Sequence, residues 1–370
     1  MQEQDHSPFH PLFANQLPPE IPIQNEWESR PKYLGRIYRF QFHGQAMEYF
    51  GIWIVNILLT IASLSLYAPW AKVRRLRYFY GNTEFFERFF DFTGLPTKIL
   101  IGRLIALGIW GVFALAGYLE MTIAAFGGVI IYLALPWLLR ATIRFTSRNS
   151  KYANSRFYFD GTTGEAYKQF FLGALIVIFT LGLFTPVMIF FYKRYVLNHL
   201  YAGQLKFRLN NSWTDYMSAV YLPVALFVGV LMLCGILIGI FAVIGLDFLT
   251  AYTAGLLGAS YFFGWVFIVP LIQARIFITT WNSTTLGNSQ FKTDCNQWRY
   301  AWIVVSNWFM KIITVGLMSA WAAIRLYKYQ VESLSLHLED DPDRMMNMAQ
   351  TDHSAIAEEI SDIFDLDISL

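Results

Sequence analysis

Charge is what this chain has least of. Asp, Glu, Lys and Arg make up 15% of its 370 residues, against 55% hydrophobic and 18% aromatic, and a soluble chain so composed would keep more apolar surface than it could bury. Cysteine is scarcer still: Cys234 lies in an apolar run and Cys295 follows a strand-like segment, which excludes a disulfide framework and a CxxC metal site. The histidines, His6, His10, His43, His199, His337 and His353, show no ligand spacing, and no HExxH, GxSxG or phosphate-loop pattern is present. These absences argue against metal-dependent, hydrolytic and nucleotide-driven chemistry, so the expectation is a protein that is not an enzyme and holds no cofactor or metal. His43 reads either as a pH-sensitive group or as an ordinary residue at a strand end.

What the chain has instead is long apolar runs without charge, at 104–119, 121–139, 169–192, 216–246 and 248–274. About 20 such residues cross the hydrocarbon of a bilayer. Lipid offers no partners to backbone N–H and C=O groups, so the runs are expected to be helical and the chain to be an integral membrane protein. Residues 1–34, polar and rich in proline, read as a solvated tail without a cleavable signal. All Lys and Arg residues lie outside 104–139 and 209–274, and each of these windows holds two apolar segments joined by a short acidic link, at Glu120 or Asp247. The positive-inside rule makes both windows helical hairpins with tips facing away from the cytoplasm and bases at Lys98, Arg103, Arg140 and Arg144, then at Lys206, Arg208 and Arg275.

The segment IASLSL at 61–66 recurs as IFTLGL at 178–183 and as IITVGL at 312–317. The same two offsets align Phe40, Phe157 and Phe291, and then Arg77-Tyr78, Arg194-Tyr195 and Lys328-Tyr329. The expected fold is therefore a polytopic α-helical membrane protein with three internal repeats. Each repeat is a strand, an apolar helix, a basic aromatic helix and a strand such as RFFDF, LKFRL or LSLHL. Two transmembrane hairpins lie between the repeats, and the strands form a small cytoplasmic β component. The boundaries are a tail at 1–34, repeats at 35–95, 150–212 and 286–338, hairpins at 96–145 and 213–280, and an acidic tail at 339–370. The helix that starts near Glu48 either re-enters or crosses; crossing would place Lys72, Arg74, Arg75 and Arg77 outside, in the manner of inverted repeats.

EYFGIWIVNILLT, YAPWAKVRRLRYFYGNT and PTKILIGR together resemble the YjgN family of bacterial inner-membrane proteins, over about residues 35–335. The resemblance implies a multi-pass protein of the bacterial inner membrane, with no reaction or catalytic residues to carry over. Both termini are expected in the cytoplasm.

Asn56, Thr60 and Ser63 fall on one helix face, and Asn307, Lys311 and Thr314 repeat that phase. Polar groups in such helices need partners, so this stripe reads either as hydrogen-bonded glue between helices or as a ligand or ion path. Lys311 is the member that glue explains least, and it is expected to face the interior near the first repeat's helix. Trp70, Lys72, Arg74, Arg75, Arg77 and Tyr78, with Lys193, Arg194, Tyr195, Arg325, Lys328 and Tyr329, read as snorkelling interfacial anchors or as a site for anionic lipid headgroups. Charges set beside apolar helices disfavour nucleic acid as a partner. Glycines at 102, 108, 111, 117, 229, 235 and 239 would permit close hairpin packing, and the acidic tail either stays solvated or docks on the basic surface or a protein partner.

Two functional classes remain. One is transport of a small molecule, ion or lipid through the helical bundle; the other is a membrane-organising or anionic-lipid-sensing protein that transports nothing. The Lys and Arg distribution generates the first prediction. Cysteines placed at Glu120 and at Asp247 in a background lacking Cys234 and Cys295 are expected to react with an impermeant maleimide from the same, periplasmic, side. Reaction from opposite sides would require inverted repeats.

Overall fold

The computed structural model describes residues 34–340 apart from 120 and 154, so both tails, the Glu120 link and Asn154 lie outside the described residues. The chain begins with β1 (Arg36–Arg39) and β2 (Gln41–Phe42), then α1 (Ala46–Ala62), α2 (Ala68–Gly81), β3 (Thr83–Phe85) and β4 (Arg88–Phe92). It continues through α3 (Pro96–Leu119), α4 (Met121–Asn149), β5 (Ser150–Tyr152), β6 (Ser155–Phe159), α5 (Thr163–Phe179), α6 (Thr185–Asn198), β7 (Leu200–Ala202) and β8 (Leu205–Leu209). The last third holds α7 (Trp213–Ile244), α8 (Asp247–Asn282), β9 (Thr284–Leu286), β10 (Ser289–Thr293), α9 (Gln297–Ile313), α10 (Ser319–Glu332) and β11 (Leu334–Leu338).

The strands form one antiparallel sheet in the order β1-β11-β10-β9-β8-β7-β6-β5-β4-β3-β2. Its two ends, β1 and β2, are one stretch of chain interrupted only at Phe40, so the sheet closes on itself into a near-barrel. This corrects the expected small β component flanked by three repeats and two separate hairpins. The eleven strands are short, two to five residues each, which hides them between long helices. The described chain instead holds five helical hairpins, α1–α2 to α9–α10, and every one rises from a pair of hydrogen-bonded strands. The two long hairpins, α3–α4 and α7–α8, belong to that same series of five. Between successive helical hairpins lie tight β-hairpins whose first turn residue has positive φ: Phe86 at 49°, Ala153 at 51°, Gly203 at 57° and Gly287 at 59°. Glu339 and Asp340, assigned above to the tail, secure the last of these turns, where the Asp340 carboxylate accepts Asn288 N–H at 2.6 Å.

The short hairpins explain the recurring hexapeptide. Its centre is the turn between helices, with Leu64 and Ser65, Leu181 and Gly182, and Val315 and Gly316 at positive φ. The hydroxyls of Ser63, Thr180 and Thr314 accept the N–H groups of Tyr67, Phe184 and Met318, each four residues on. The uncharged run 169–192 is therefore bent back at this turn, with α5 on one side and α6 on the other. The first hairpin cannot make a single crossing either. Gln41 pairs with Glu84 and Phe42 with Thr83, so the chain that leaves through α1 returns through α2 to the same place in the sheet.

The helices form a ring in which each packs on the next and α10 packs on α1. Four of them, α3, α4, α7 and α8, contain segments long and apolar enough to cross a membrane. The 32 and 36 residues of α7 and α8 reach roughly 48 and 54 Å at about 1.5 Å per residue. Gly229, Gly235 and Gly239, and likewise Gly108 and Gly111, have open space where a Cβ would stand, so they do not mediate the expected close packing. The close approach is made by Gly264 against Phe227 and by Gly127 against Phe113.

The core lies where hairpin bases meet the sheet. Phe42 packs there with Tyr49 and Phe79, Phe92 with Ile99 and Phe145, and Phe159 with Ala166 and Tyr195. Two residues after each of these phenylalanines stands Gly44, Gly94 or Gly161, across whose backbone the ring lies. A Cβ at Gly161 would meet the Phe159 ring at 2.5 Å and the Tyr195 hydroxyl at 2.8 Å. Gly161→Ala is therefore expected to cost about 1–3 kcal/mol of stability, as overpacking does. Gly164→Ala, with nothing within 4 Å and a helical backbone, should be neutral or stabilising by up to ~1 kcal/mol. Thermal unfolding in detergent separates the two variants.

Candidate functional site

Four of the five five-residue strands carry phenylalanine in third place, RFFDF, SRFYF, LKFRL and SQFKT; the fifth, LSLHL, has Leu336 there, and YRFQF sets Phe40 between β1 and β2. Pairing brings the five phenylalanines together. Ring centroids run from Phe40 to Phe90 at 6.3 Å, to Phe157 at 6.3 Å, to Phe207 at 6.5 Å, to Phe291 at 5.9 Å and back to Phe40 at 6.2 Å. These separations are those of aromatic contact, so the five rings form a closed circuit inside the sheet. All five border a wholly apolar space of about 230 Å³. Sequence comparison aligned Phe40, Phe157 and Phe291 but missed Phe90 and Phe207; their common third place in the strand was the signal that could have found them.

Sharing Phe40, Phe90 and Phe157 with that space is a larger chamber of about 620 Å³. Its wall takes side chains from the second helix of every hairpin: Tyr80 from α2, Thr142 and Thr146 from α4, Tyr192 from α6, Phe277 and Trp281 from α8, and Tyr327 from α10. Among the described residues no first helix and no charged side chain lines it. The five second helices thus stand around a common axis above the phenylalanine circuit, with the first helices behind them. Burial pushes the Tyr152 hydroxyl, which donates to Phe85 C=O at 2.9 Å, well above its usual range. Burial likewise raises the Cys295 thiol, which keeps it protonated and unreactive.

The polar stripe is divided by the structure. Ser63 and Thr314 cap turns, and Thr60 donates to its own helix at Asn56 C=O, 2.6 Å away. Asn56 is buried, with a carboxamide oxygen that meets no partner among the described residues. Asn307 donates to Ala322 C=O at 3.0 Å and accepts from Arg325 at 3.3 Å, which ties α9 to α10. Lys311 borders a separate cleft with Arg75 of α2, so it meets the first hairpin through α2; neither Asn56 nor Thr60 lines that cleft.

The basic aromatic residues also separate by role. Tyr78, Tyr195 and Tyr329 are latches: their hydroxyls donate to the C=O of Gln45, Thr162 and Asn296, the residues that cap α1, α5 and α9. Arg77 donates to Phe92 C=O at 3.1 Å, and Lys328 pairs with Glu332 at 3.6 Å. Arg74, Arg194 and Arg325 lie over the rings of Tyr67, Phe190 and Trp321 at 5.7, 5.7 and 5.0 Å. Trp70, Lys72 and Lys193 are half-buried. His43 meets Glu84 at 2.5 Å across β2 and β3.

Asn307→Ala is expected to cost about 1–3 kcal/mol, because it removes the buried bond to Ala322 C=O and one of the two acceptors of Arg325, which keeps Ser306. Thr60→Val should stay within about 0.5 kcal/mol of wild type, since its hydroxyl serves only its own helix. Equal losses on thermal unfolding would return Thr60 to a shared polar path.

The family model for DUF898, described as a bacterial protein of unknown function, matches residues 37–363. Inner membrane protein YjgN of Escherichia coli K12 is 49% identical over 47 residues, which are 13% of this chain and 12% of that protein. Inner membrane protein YjgN of Salmonella typhimurium LT2 is 36% identical over 69 residues, 19% of this chain and 18% of that protein. The chain therefore matches less than a fifth of the length of these curated relatives. No solved structure matches it. The family match runs from the first strand past the last, and the chain belongs to the DUF898 family of bacterial proteins.

Proposed function

We propose that this protein is a multi-pass inner-membrane protein that admits a lipid-sized apolar or amphiphilic molecule to its axial chamber and passes it across the phenylalanine circuit. The observation that carries the reading is the chamber itself, walled by one helix from each hairpin and bordered by Phe40, Phe90 and Phe157 of the five-phenylalanine circuit. An ion path needs coordinating oxygens or charged rings along its length; the chamber wall carries hydroxyls such as those of Thr142, Thr146 and Ser147 but no charge, and the apolar space inside the phenylalanine circuit offers no polar surface. A narrow ring of hydrocarbon excludes water, so the circuit acts as a barrier to polar solutes and as a yielding constriction for apolar ones. Membrane placement is supported by the four long apolar helices and by relatives named as inner membrane proteins. The Lys and Arg distribution supports a cytoplasmic sheet with both termini on that side.

The membrane-organising reading has its own support in the short hairpins, whose tips end in exposed apolar side chains: Leu64 is 89% exposed, Leu181 94% and Val315 92%. A protein that only perturbs the bilayer with these tips has no use for an open chamber, so a chamber-filling substitution separates the readings. In vesicles holding an NBD-labelled lysophospholipid, bleached by dithionite from outside, the wild type is expected to speed exchange roughly tenfold, a barrier change of about 1.4 kcal/mol. Ser147→Trp, which fills the chamber, should abolish that gain, and Phe90→Ala with Phe207→Ala should increase it. A wild-type rate equal to that of protein-free vesicles would overturn transport and leave the organising reading.

A further inference from the structure

Beside the chamber lies a second, differently charged cavity. A cleft of about 330 Å³ opens between α2, α9 and α10, and Arg75 and Lys311 both line it. No Asp or Glu borders it, and among the described residues neither cation makes an ion pair. Arg75 has its guanidinium over the Phe79 ring at 5.8 Å and is otherwise exposed. Lys311 is half-buried near the end of α9, where Ile312 and Ile313 are 74% and 72% exposed. Two like charges that border one cavity without a counter-charge leave an anion as the partner both favour. Asn307 cannot take that part, because its carboxamide is already committed to Ala322 and Arg325.

The cleft and the axial chamber are neighbours. Tyr80, Tyr327 and Gln330 line both, so one tyrosine-edged wall stands between a cationic cleft and an uncharged aromatic space. Charge at one end and hydrocarbon at the other is the complement of an anionic amphiphile. We propose that this cleft binds the anionic headgroup of a membrane lipid through Arg75 and Lys311, with the acyl chain entering the chamber past Tyr80 and Tyr327. The tail half of this inference rests on the chamber reading above; the headgroup half stands on the cleft alone.

The test uses the full-length protein in a neutral detergent, read by thermal unfolding and by Trp308 fluorescence, since Trp308 lines the cleft. Phosphatidylglycerol is expected to half-saturate at a concentration roughly tenfold lower than phosphatidylcholine, a factor typical of one paired charge. sn-Glycerol 3-phosphate and inorganic phosphate should give no shift over the same range. Arg75→Gln with Lys311→Gln should bring phosphatidylglycerol down to the phosphatidylcholine level, while Arg75→Lys keeps the preference. An undiminished preference in the double variant would overturn the site, and a response to inorganic phosphate equal to that of phosphatidylglycerol would replace the lipid with a free anion. Ser147→Trp separates the two halves: an affinity for phosphatidylglycerol equal to that of the wild type with the chamber filled keeps the headgroup site and removes the chain from the chamber. Should the double variant fail to fold, native mass spectrometry of the wild type decides, because co-purified phosphatidylglycerol in no excess over zwitterionic lipid would overturn the inference.

Discussion

Backbone pairing at the foot of each helical hairpin is the constraint from which the rest of the structure follows. β2 pairs β3 below α1–α2, β4 pairs β5 below α3–α4, and β6 pairs β7 below α5–α6. β8 and β9 do the same for α7–α8, and β10 and β11 for α9–α10. Each pair forces a helix that leaves the sheet to be followed by one that returns, whatever the apolar length between. Among the described residues, the ladder that joins the most distant parts of the chain is β1 with β11, from Arg36 opposite Leu338 to Arg39 opposite Ser335. That ladder converts an open meander into a closed sheet and therefore brings Phe40 next to Phe291. Without it the phenylalanine circuit has a gap and α10 loses its seat against α1. Closure is the least local contact in the fold, so it should form late, after the nearest-neighbour hairpins are in place.

Much of this was legible in the sequence, down to individual strands. RFFDF, LKFRL and LSLHL, expected as strands, are β4, β8 and β11, because alternation over five positions flanked by turn residues is a strong signal, whereas the segment around Phe40 is divided at that residue into β1 and β2. What could not be read was how many strands took part. TEF, SKY, LYA and TTL, the three-residue strands that begin each β-hairpin, are too short to show a period. Missing them left a β component that looked small and made three hairpins seem a class apart from the other two. The run 169–192 misled for a related reason: Thr180 and Gly182 are tolerated in an apolar helix, and only their conformation shows that they end one.

Residue roles were harder to read than elements, since the same side chain serves different ends by context. Tyr78, Tyr195 and Tyr329 have the composition of interfacial anchors, yet their hydroxyls close the bases of the short hairpins against the caps of α1, α5 and α9. The polar stripe divides in the same way, for Ser63 and Thr314 satisfy turn backbone that would otherwise stay unpaired. Lys311 differs because nothing in its own hairpin answers its charge, and residues without a local explanation are where function is best sought.

The two hairpin lengths then bear on how the axis is reached. A helix of 17 residues rises about 25 Å, less than the roughly 30 Å of hydrocarbon, whereas α7 and α8 exceed it. In the membrane placement proposed above, the long hairpins span the bilayer at two positions in the ring, and the three short ones stop inside it. A ring so built is complete only near the sheet; farther out it is open to the acyl chains between Leu64, Leu181 and Val315. Water does not fill such an opening, so the side chains facing the axis have no aqueous column to serve. That accounts for a chamber of tyrosine, tryptophan and threonine without a charge, and for the placement of Arg75 and Lys311 at a side cleft, off the axis. The bilayer itself, entered from the side, is then the phase from which the chamber is filled.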